Sequence, residues 1–404
     1  MVRGAWLLSC KRLPHRGTGS ILALADRQRQ AAPCYHRQTA QRYKQQYIAN
    51  AILRVTPFTF LPKRLTAMKP SLLLPLLAAL MVGGAQARTV TDDLGNQVQV
   101  PAQARAIADG WYAHHSVLMT LGAGDRIVAT VNHAADRPWM FAIQPSLQQA
   151  LAVRGRTFES EALLARHVDV VFVPAEDDDA AAYRRAGLPT LVMKFNDFPS
   201  MKRDLLTTAE VVGTDRARQR ARAWNAYLDE KVNAIGAVTR NLSEAQRPRV
   251  LHIQSLHPLK VDGRDTLIDT WIRLAGGRNA AAQVSGNMKE TTPESVIAWQ
   301  PEVIIIDASA GTLEQSDYAA LFSSLPAVKQ HRVWRNPAGV FPWDRYGTEA
   351  ALQIQWAAAK LHPQRFVGID MVKITQDFYR RFFDYPLTAQ QAERILHAEP
   401  PLAG

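Results

Sequence analysis

A helix–strand pattern occurs twice in this chain of 404 residues, and the second copy begins 133 positions after the first, which spans residues 160–173. Glu161 and Glu294 stand at matching positions, as do Asp169 and Glu302, and an apolar run follows the second acid of each pair. Each copy predicts a short helix with an acid in its first turn, then a buried strand of a parallel sheet. Such a duplication predicts two related α/β lobes with a cleft between them.

The sequence changes character between the two copies. Residues 206–246 contain no cluster of strand formers and carry apolar residues at helical spacing, which predicts a linking helix region with one long helix from about Asp215 to Arg240. That helix would span roughly 39 Å at 1.5 Å per residue, enough to run from one lobe to the other. We therefore predict an α/β fold of two Rossmann-like lobes with parallel sheets, residues 88–205 and 247–404, joined by a single long helix. The second lobe ends in a helical tail.

Residues 68–87 have the features of a secretory signal peptide. Lys69 precedes an apolar stretch that is too short to cross a membrane, and Ala85–Ala87 form a small-residue cleavage motif. We interpret residues 1–67 as a non-native or disordered extension; an arginine-rich organelle transit peptide is the alternative. The expected product is an exported periplasmic protein that begins at Arg88.

The net charge of +12 arises from 48 basic and 36 acidic residues. Thirteen of the basic residues and one of the acids precede Arg88, which leaves 35 of each sign in the rest of the chain. A balanced charge gives no support for a nucleic-acid partner. Both cysteines, Cys10 and Cys34, also precede Arg88. We therefore expect the exported protein to have no disulfide and no lipid-bearing cysteine, and to be soluble.

The chain resembles the periplasmic substrate-binding proteins of ABC importers for ferric siderophores, haem and vitamin B12. The resemblance covers residues 88–387, and its further markers are Thr-Asp-Asp-Leu-Gly-Asn at 91–96 and Leu-Gly-Ala-Gly-Asp-Arg at 121–126. It implies a monomeric binding protein, without catalytic activity or an intrinsic cofactor. Such a protein delivers a metal chelate, most simply an iron–siderophore or haem, to a permease in the inner membrane. A cobalamin or nickel-chelate carrier of the same fold is the alternative.

The resemblance also assigns a role to the first acid of each repeat. In that family, one surface glutamate of each lobe docks into arginine pockets of the permease, and Glu161 and Glu294 occupy the matching positions. Two separated carboxylates are well suited to such recognition. An acid in the first turn of a helix also stabilises the helix dipole by about 0.3–1 kcal/mol, and both roles can hold together.

Ligands of open parallel sheets bind beyond the carboxyl ends of the strands. In the first lobe, seven candidate ligand-binding residues follow the first two strands: Trp111, Tyr112, His114, His115, His133, Arg137 and Trp139. The aromatic rings offer flat faces to a macrocycle or catechol, and imidazole is a common ligand of iron, nickel, cobalt and zinc. His114 or His115 is therefore the predicted metal ligand. Neighbours on a helix diverge by roughly 100°, which favours one of them over both; helix capping and packing is the alternative.

The second lobe offers a corresponding set of candidates. They follow a predicted strand at residues 250–253, precede Glu294, or precede a helix predicted from Thr348: Gln254, His257, Met288, Trp343, Arg345 and Tyr346. The last three could close over a bound chelate with cation–π support. The alternative is an aromatic cluster at the edge of the domain in which Asp344 and Arg345 pair with each other.

A secreted metal-dependent hydrolase and a periplasmic sensor are alternatives of a different class. The sequence lacks His-Glu-x-x-His, a Gly-x-Ser-x-Gly elbow and a glycine-rich phosphate loop. Three consecutive acids at 177–179 lack the alternating spacing of a calcium loop. These features favour binding over catalysis.

Overall fold

The computed structural model describes residues 87–402. They open with an antiparallel hairpin of β1 (Arg88–Thr91) and β2 (Gln97–Val100). The buried carboxylate of Asp92 closes the turn by accepting the backbone N–H of Asn96 at 2.8 Å. Asp93 accepts the backbone N–H of Lys194 at 2.7 Å, which ties the hairpin to the first lobe.

The first lobe contains a five-stranded sheet in which every pairing is parallel. In spatial order its strands are β5 (Leu151–Ala152), β4 (Ile127–Thr130), β3 (Ile107–Asp109), β6 (Val170–Pro174) and β7 (Thr190–Met193). Its helices are α1 (His114–Thr120), α2 (Pro138–Ile143), α3 (Ser160–Ala165) and α4 (Ala180–Arg185). The chain leaves β3 toward β4 on one side and later places β6 on the other. The carboxyl ends of β3 and β6 therefore form a topological switch point, where ligands of such sheets bind.

Two helices lead out of this lobe, α5 (Phe198–Val212) and α6 (Asp215–Thr239). They are separated at Gly213, whose φ of +77° and close approach to the carbonyl of Ala102 leave no room for a Cβ atom. Thr214 caps α6 by accepting the backbone N–H of Ala217. The 25 residues of α6 span about 37 Å, and the predicted linking helix is thus present.

The second lobe has a six-stranded sheet. Its path is β11 (Lys289–Glu290), β9 (Leu259–Val261), β8 (Arg249–Leu256), β12 (Val303–Ile306) and β13 (Val333–Arg335), while β10 (Arg278–Asn279) pairs with the start of β8. The pairs that β8 makes with β10 and β12, and that β12 makes with β13, are parallel, as predicted. Strands β9 and β11 run antiparallel, which the sequence interpretation missed. Only His257 and Pro258 connect β8 to β9, and so short a connection permits only a hairpin.

Helices surround this sheet and form the tail. They are α7 (Leu267–Leu274), α8 (Pro293–Trp299), α9 (Ala319–Phe322), α10 (Pro326–Lys329), α11 (Ala350–Leu361), α12 (Met371–Phe382) and α13 (Ala389–Leu396). Short 3-10 helices occur at Gly124–Arg126, Pro145–Gln149, Glu244–Gln246 and Leu313–Gln315. The second switch point lies between the carboxyl ends of β8 and β12, which repeats the topology of the first lobe.

The second acid of each repeat accepts hydrogen bonds from the backbone at the start of a central strand. The Asp169 carboxylate accepts the backbone N–H groups of Arg105 and Ala106, at 2.7 and 3.0 Å, just before β3. The Glu302 carboxylate accepts the backbone N–H of Arg249, at 2.8 Å, at the start of β8. The duplication in the sequence therefore corresponds to a duplicated contact in the fold.

The predicted signal peptide, except Ala87, and the segment before it lie outside the described residues. Between residues 87 and 402, no helix is both long enough and apolar enough to cross a membrane.

Candidate functional site

Aromatic side chains of both lobes meet beyond the carboxyl end of β3. Trp111 follows β3, Phe195 follows β7, and Tyr346 belongs to the segment after β13. The Trp111 ring lies 5.0 Å from that of Phe195 and 6.4 Å from that of Tyr346, and the last two rings are 5.6 Å apart. We call these three residues the aromatic cluster. The segments around Trp111 and Tyr346, which the sequence selected separately, therefore lie against each other at the lobe junction.

The backbone at the end of β3 explains why Trp111 points toward the junction. Gly110 donates its N–H to the carbonyl of Phe172 at 2.8 Å, and a Cβ atom at Gly110 would lie 3.2 Å from that oxygen. The Asp109 carboxylate then accepts the N–H of Trp111 at 3.1 Å and closes a tight turn. The next residue, Tyr112, is half-buried and donates its hydroxyl to the carbonyl of Gly155 at 3.1 Å.

Arg137 is a cation of the first lobe whose side chain lies against the second lobe. Its guanidinium carbon lies 4.9 Å from the centre of the Phe341 ring, and its Nη1 donates to the carbonyl of Asp136 at 2.8 Å. Its Nε is buried without a hydrogen-bond partner, and no carboxylate of residues 87–402 lies within 4.0 Å of it. Burial lowers the pKa of Arg137, opposed by the charge of Asp307 across the junction. A half-buried guanidinium that no carboxylate contacts is well suited to an anionic ligand.

Arg345 is the cation on the facing side. Its Nη1 lies 3.2 Å from the Asp262 carboxylate, and its side chain is 13% exposed. The same carboxylate accepts the backbone N–H of Met288 at 2.8 Å. Tyr346 accepts a hydrogen bond from Asn287 through its hydroxyl. Asp262 and these contacts bring together Met288, Arg345 and Tyr346, which the sequence had placed in two separate segments.

A buried histidine lies beneath this side of the junction. His252, in β8, is held between Asp262, at 2.8 Å, and Asp344, at 2.6 Å. All three side chains are fully buried. Burial alone would lower the pKa of His252, but the two hydrogen bonds raise it to about 9, so the imidazole is protonated at neutral pH. The pairing that the sequence suggested as an alternative, Asp344 with Arg345, is replaced by Asp262 with Arg345.

His114 is not available to a ligand. Its ring is wholly buried, with Nδ1 3.1 Å from the Asp109 carboxylate and Nε2 2.9 Å from the Thr208 hydroxyl. Although burial alone would lower the pKa of His114, the charge of Asp109 raises it. Burial raises the pKa of the neighbouring Asp204 to about 7.

His115 is equally enclosed. Its Nδ1 lies 3.1 Å from the carbonyl of Trp111 and its Nε2 lies 2.7 Å from the Thr130 hydroxyl. The prediction that His114 or His115 bonds a metal is therefore wrong, because both nitrogens of each ring are hydrogen-bonded and both rings are shielded from solvent. Their role is packing and hydrogen bonding, as in the alternative. Within residues 87–402, no group of three or more His, Cys, Asp or Glu side chains could hold a metal ion.

Two predicted tryptophans also lie in the core. Trp343 is fully buried and donates its Nε1 to Glu349 at 3.0 Å, and Trp139 is buried and donates its Nε1 to the carbonyl of Glu399 at 2.8 Å. The sequence predicted that both tryptophans contact the ligand. The structure instead gives both of them a structural role. Trp343 anchors the segment that contains Arg345, and Trp139 anchors the segment that contains Arg137. Both arginines face the junction.

Three further candidates lie away from the aromatic cluster or in a different element from the one predicted. His133 is half-buried, with Nε2 3.0 Å from the carbonyl of Val153. Gln254 is part of β8, not of a loop, because the strand continues to Leu256. His257 occupies the exposed β8–β9 turn and stacks on Tyr318 at 6.1 Å.

The sequence interpretation missed several residues of the junction. Asp307 follows the buried strand β12 in the same way that Asp109 ends β3, so the rule that selected Trp111 could have selected it. Phe195 follows β7 and could have been found in the same way. The only local signal for His252 was its position in an apolar run, and none marked Asp262, because their importance depends on contacts across the sheet.

A model of the periplasmic binding protein family matches residues 107–338. The chain belongs to this family. The predicted resemblance is confirmed, and so is the two-lobed α/β fold. The protein is accordingly a periplasmic binding protein of the ABC-transporter class.

The individual relatives have low sequence identity to this chain, but the match covers nearly the whole length of each relative. The molybdate-binding protein MolA of Haemophilus influenzae is 23% identical over 339 residues, 78% of this chain and 96% of that one. The structure of MolA with molybdate matches with a TM-score of 0.67 at 21% identity, over 74% of this chain and 99% of that one. A periplasmic solute-binding protein of Veillonella parvula matches with a TM-score of 0.67 at 22% identity, over 77% and 97% of the two chains. CeuE of Helicobacter pylori with bound Ni(II) matches with a TM-score of 0.61 at 19% identity, over 76% and 99%.

Glu161 and Glu294 are exposed in the first turns of α3 and α8. Neither carboxylate forms an ion pair or a side-chain hydrogen bond with the rest of the described chain. Both side chains are therefore free to meet a partner, and their docking role stays a prediction.

Proposed function

We propose that this protein captures an anionic, metal-containing solute at the lobe junction and delivers it unaltered to an ABC permease. The observation that carries the proposal is the Arg137 guanidinium, which is half-buried, lacks a carboxylate partner within 4.0 Å among residues 87–402, and faces Arg345 and Asp307 of the other lobe. A buried charge without a partner is costly, so an anion held between the two guanidiniums would be strongly favoured.

The aromatic cluster favours a ferric siderophore or haem as the solute. Trp111, Phe195 and Tyr346 offer apolar faces beside the two cations, as an aromatic chelate with carboxylate or catecholate oxygens requires. The rings lie 5.0 to 6.4 Å apart. Such a ligand would therefore have to part the lobes, and the single linking helix α6 allows a small hinge motion.

A metal oxyanion such as molybdate is the second candidate. The short distances between the rings suit a small ion better than a macrocycle, and paired guanidiniums recognise tetrahedral oxyanions well. The similarity to MolA supports this candidate. Both candidates rely on Arg137.

A titration of the purified protein tests the proposal. The panel is molybdate, haemin, a ferric tris-catecholate, a neutral ferric tris-hydroxamate, nickel–histidine and cyanocobalamin, followed by calorimetry and tryptophan fluorescence. We expect an anionic member to bind without being consumed. Replacing Arg137 by Gln should weaken that binding by about 10- to 100-fold, the effect of losing a charge-assisted hydrogen bond worth about 1.5–3 kcal/mol.

Arg185→Gln is the matched control, because Arg185 is exposed at the end of α4 and forms no ion pair within the described chain. It should bind like the unmodified protein. Absence of binding across the panel, or equal affinity in Arg137→Gln, would overturn the proposal.

A further inference from the structure

His252 is the polar residue in the buried run at residues 250–253 of β8. Its neighbours Val250, Leu251 and Ile253 are fully buried, and so is the imidazole itself. Asp262, which follows β9, and Asp344, which follows β13, bind its two nitrogens at 2.8 and 2.6 Å. A donor on each nitrogen is the arrangement of an imidazolium.

The two carboxylates belong to the two segments that form this side of the junction. The Asp262 carboxylate lies 3.2 Å from Nη1 of Arg345 and accepts the backbone N–H of Met288 at 2.8 Å. Asp344 directly precedes Arg345, and its carbonyl accepts the Nε1 of Trp271 at 3.2 Å. His252 therefore joins the Met288 segment to the Arg345 segment through one ring.

Protonation of His252 balances the charges of its two carboxylate partners against those of His252 and Arg345. The imidazolium and the Arg345 guanidinium then face two carboxylates, Asp262 and Asp344. Asp307 is the next carboxylate on this side, and the Trp271 ring packs edge-on against His252 with centroids 6.1 Å apart. Without the proton, one guanidinium would face two buried carboxylates, and little of its charge would be left for a solute.

We propose that His252 is the positioning residue of the second lobe: its imidazolium holds Asp262 and Asp344, fixes Arg345 and Met288 at the junction, and leaves the Arg345 charge available to an anion. The part that concerns the solute rests on the proposed function. The part that concerns Arg345 and Met288 does not, and it can be tested without a solute.

Nuclear magnetic resonance of the 15N-labelled protein gives the solute-free test. We expect both His252 nitrogens to carry slowly exchanging protons at pH 7 and to titrate near pH 9. The Arg345 Nε and Met288 amide signals should shift at the same pH. In His252→Gln these shifts should vanish, whereas in His257→Gln, a change in the exposed β8–β9 turn, they should persist.

The measurement on the unmodified protein does not depend on a variant folding correctly. A neutral His252 at pH 7 would overturn the proposal. So would Arg345 and Met288 signals that stay constant while His252 titrates.

Solute affinity gives the second test, with molybdate and haemin as anionic probes and the ferric tris-hydroxamate as the neutral one. Affinity for whichever anion binds should fall about tenfold or more as the pH rises through 9, since only Asp262 and Arg345 lie between the titrating imidazole and the proposed anion. Affinity for the neutral probe should change little. An equal loss for both probes would show a merely structural role and overturn the proposal.

The two proposals fail in distinguishable ways. If the Arg345 and Met288 shifts appear but no anion binds, the proposed function fails and the positioning role stands. If an anion binds with an affinity that is flat through pH 9 and the shifts are absent, His252 is not the positioning residue.

Discussion

Replacement of His114 by Ala separates a metal-binding histidine from a structural one. The His114 ring is fully buried, 3.1 Å from the Asp109 carboxylate and 2.9 Å from the Thr208 hydroxyl, and its centroid lies 4.5 Å from that of Phe172. If the role is structural, the change should destabilise the fold. If His114 were a metal ligand, the change should abolish binding and leave stability largely intact.

The contacts set the expected magnitude. Loss of the imidazole takes a hydrogen-bond partner from the buried Asp109 and Thr208 side chains, at about 1–3 kcal/mol for each, and the cavity left beside Phe172 adds to that cost while relaxation reduces it. We expect a loss of about 4 kcal/mol, a large part of the 5–15 kcal/mol typical of a folded protein. At roughly 2 °C per kcal/mol for a chain of this size, the melting temperature should fall by about 8 °C.

Urea unfolding followed by circular dichroism measures this loss. His257→Ala is the control, because that side chain is 59% exposed and its replacement should stay within about 0.5 kcal/mol of the unmodified protein. A His114→Ala protein that keeps its stability to within about 1 kcal/mol and loses solute binding would refute the structural role.

Three further predictions follow from the fold. In urea unfolding, Asp169→Ala should lower the free energy of unfolding by about 2–3 kcal/mol and Glu302→Ala by about 1–2 kcal/mol. The difference is expected because the Asp169 carboxylate accepts two backbone N–H groups and the Glu302 carboxylate accepts one. Equal losses would contradict this reasoning. Burial raises the pKa of Asp204 from 3.8 to about 7, so the folded state binds that proton more tightly than the unfolded state. The free energy of unfolding should therefore decline as the pH rises from 3.8 through about 7, and Asp204→Asn should remove that slope. A stability curve of the unmodified protein that is flat in this range would be inconsistent with the buried acid. Glu161→Ala and Glu294→Ala should each reduce uptake by cells while solute affinity stays unchanged, and normal uptake in the double variant would exclude the docking role.

The fold was predictable to the extent that it depends on patterns repeated along the chain. The matching acids and apolar runs around Glu161 and Glu294 predicted the two lobes, and helical periodicity predicted α6. Strand β9 escaped prediction because it is only three residues long and its direction depends on a two-residue turn. Neither property leaves a periodic signal.

The candidate site was predictable only as segments. The rule that ligands bind beyond the carboxyl ends of parallel strands selected Trp111, Arg137 and Tyr346, and the structure brings these segments together. The same rule selected His114 and Trp343, which are buried, because sequence position fixes where a backbone segment leaves a strand but not the direction of each side chain.

The sequence by itself determined the duplicated α/β lobes, the linking helix and the strand ends at which the lobes meet, because these follow from local periodicity and from the repeat. Only the tertiary structure decided which polar groups are satisfied within the protein and which face the junction. His114 and His252 both follow or lie in buried strands. Each ring has one carboxylate from the same part of the chain, Asp109 or Asp262, and one partner from a distant part, Thr208 or Asp344. Arg137 keeps a buried Nε without a hydrogen-bond partner and has no carboxylate within 4.0 Å in the described chain. That difference arises from contacts between distant residues, which no local pattern contains.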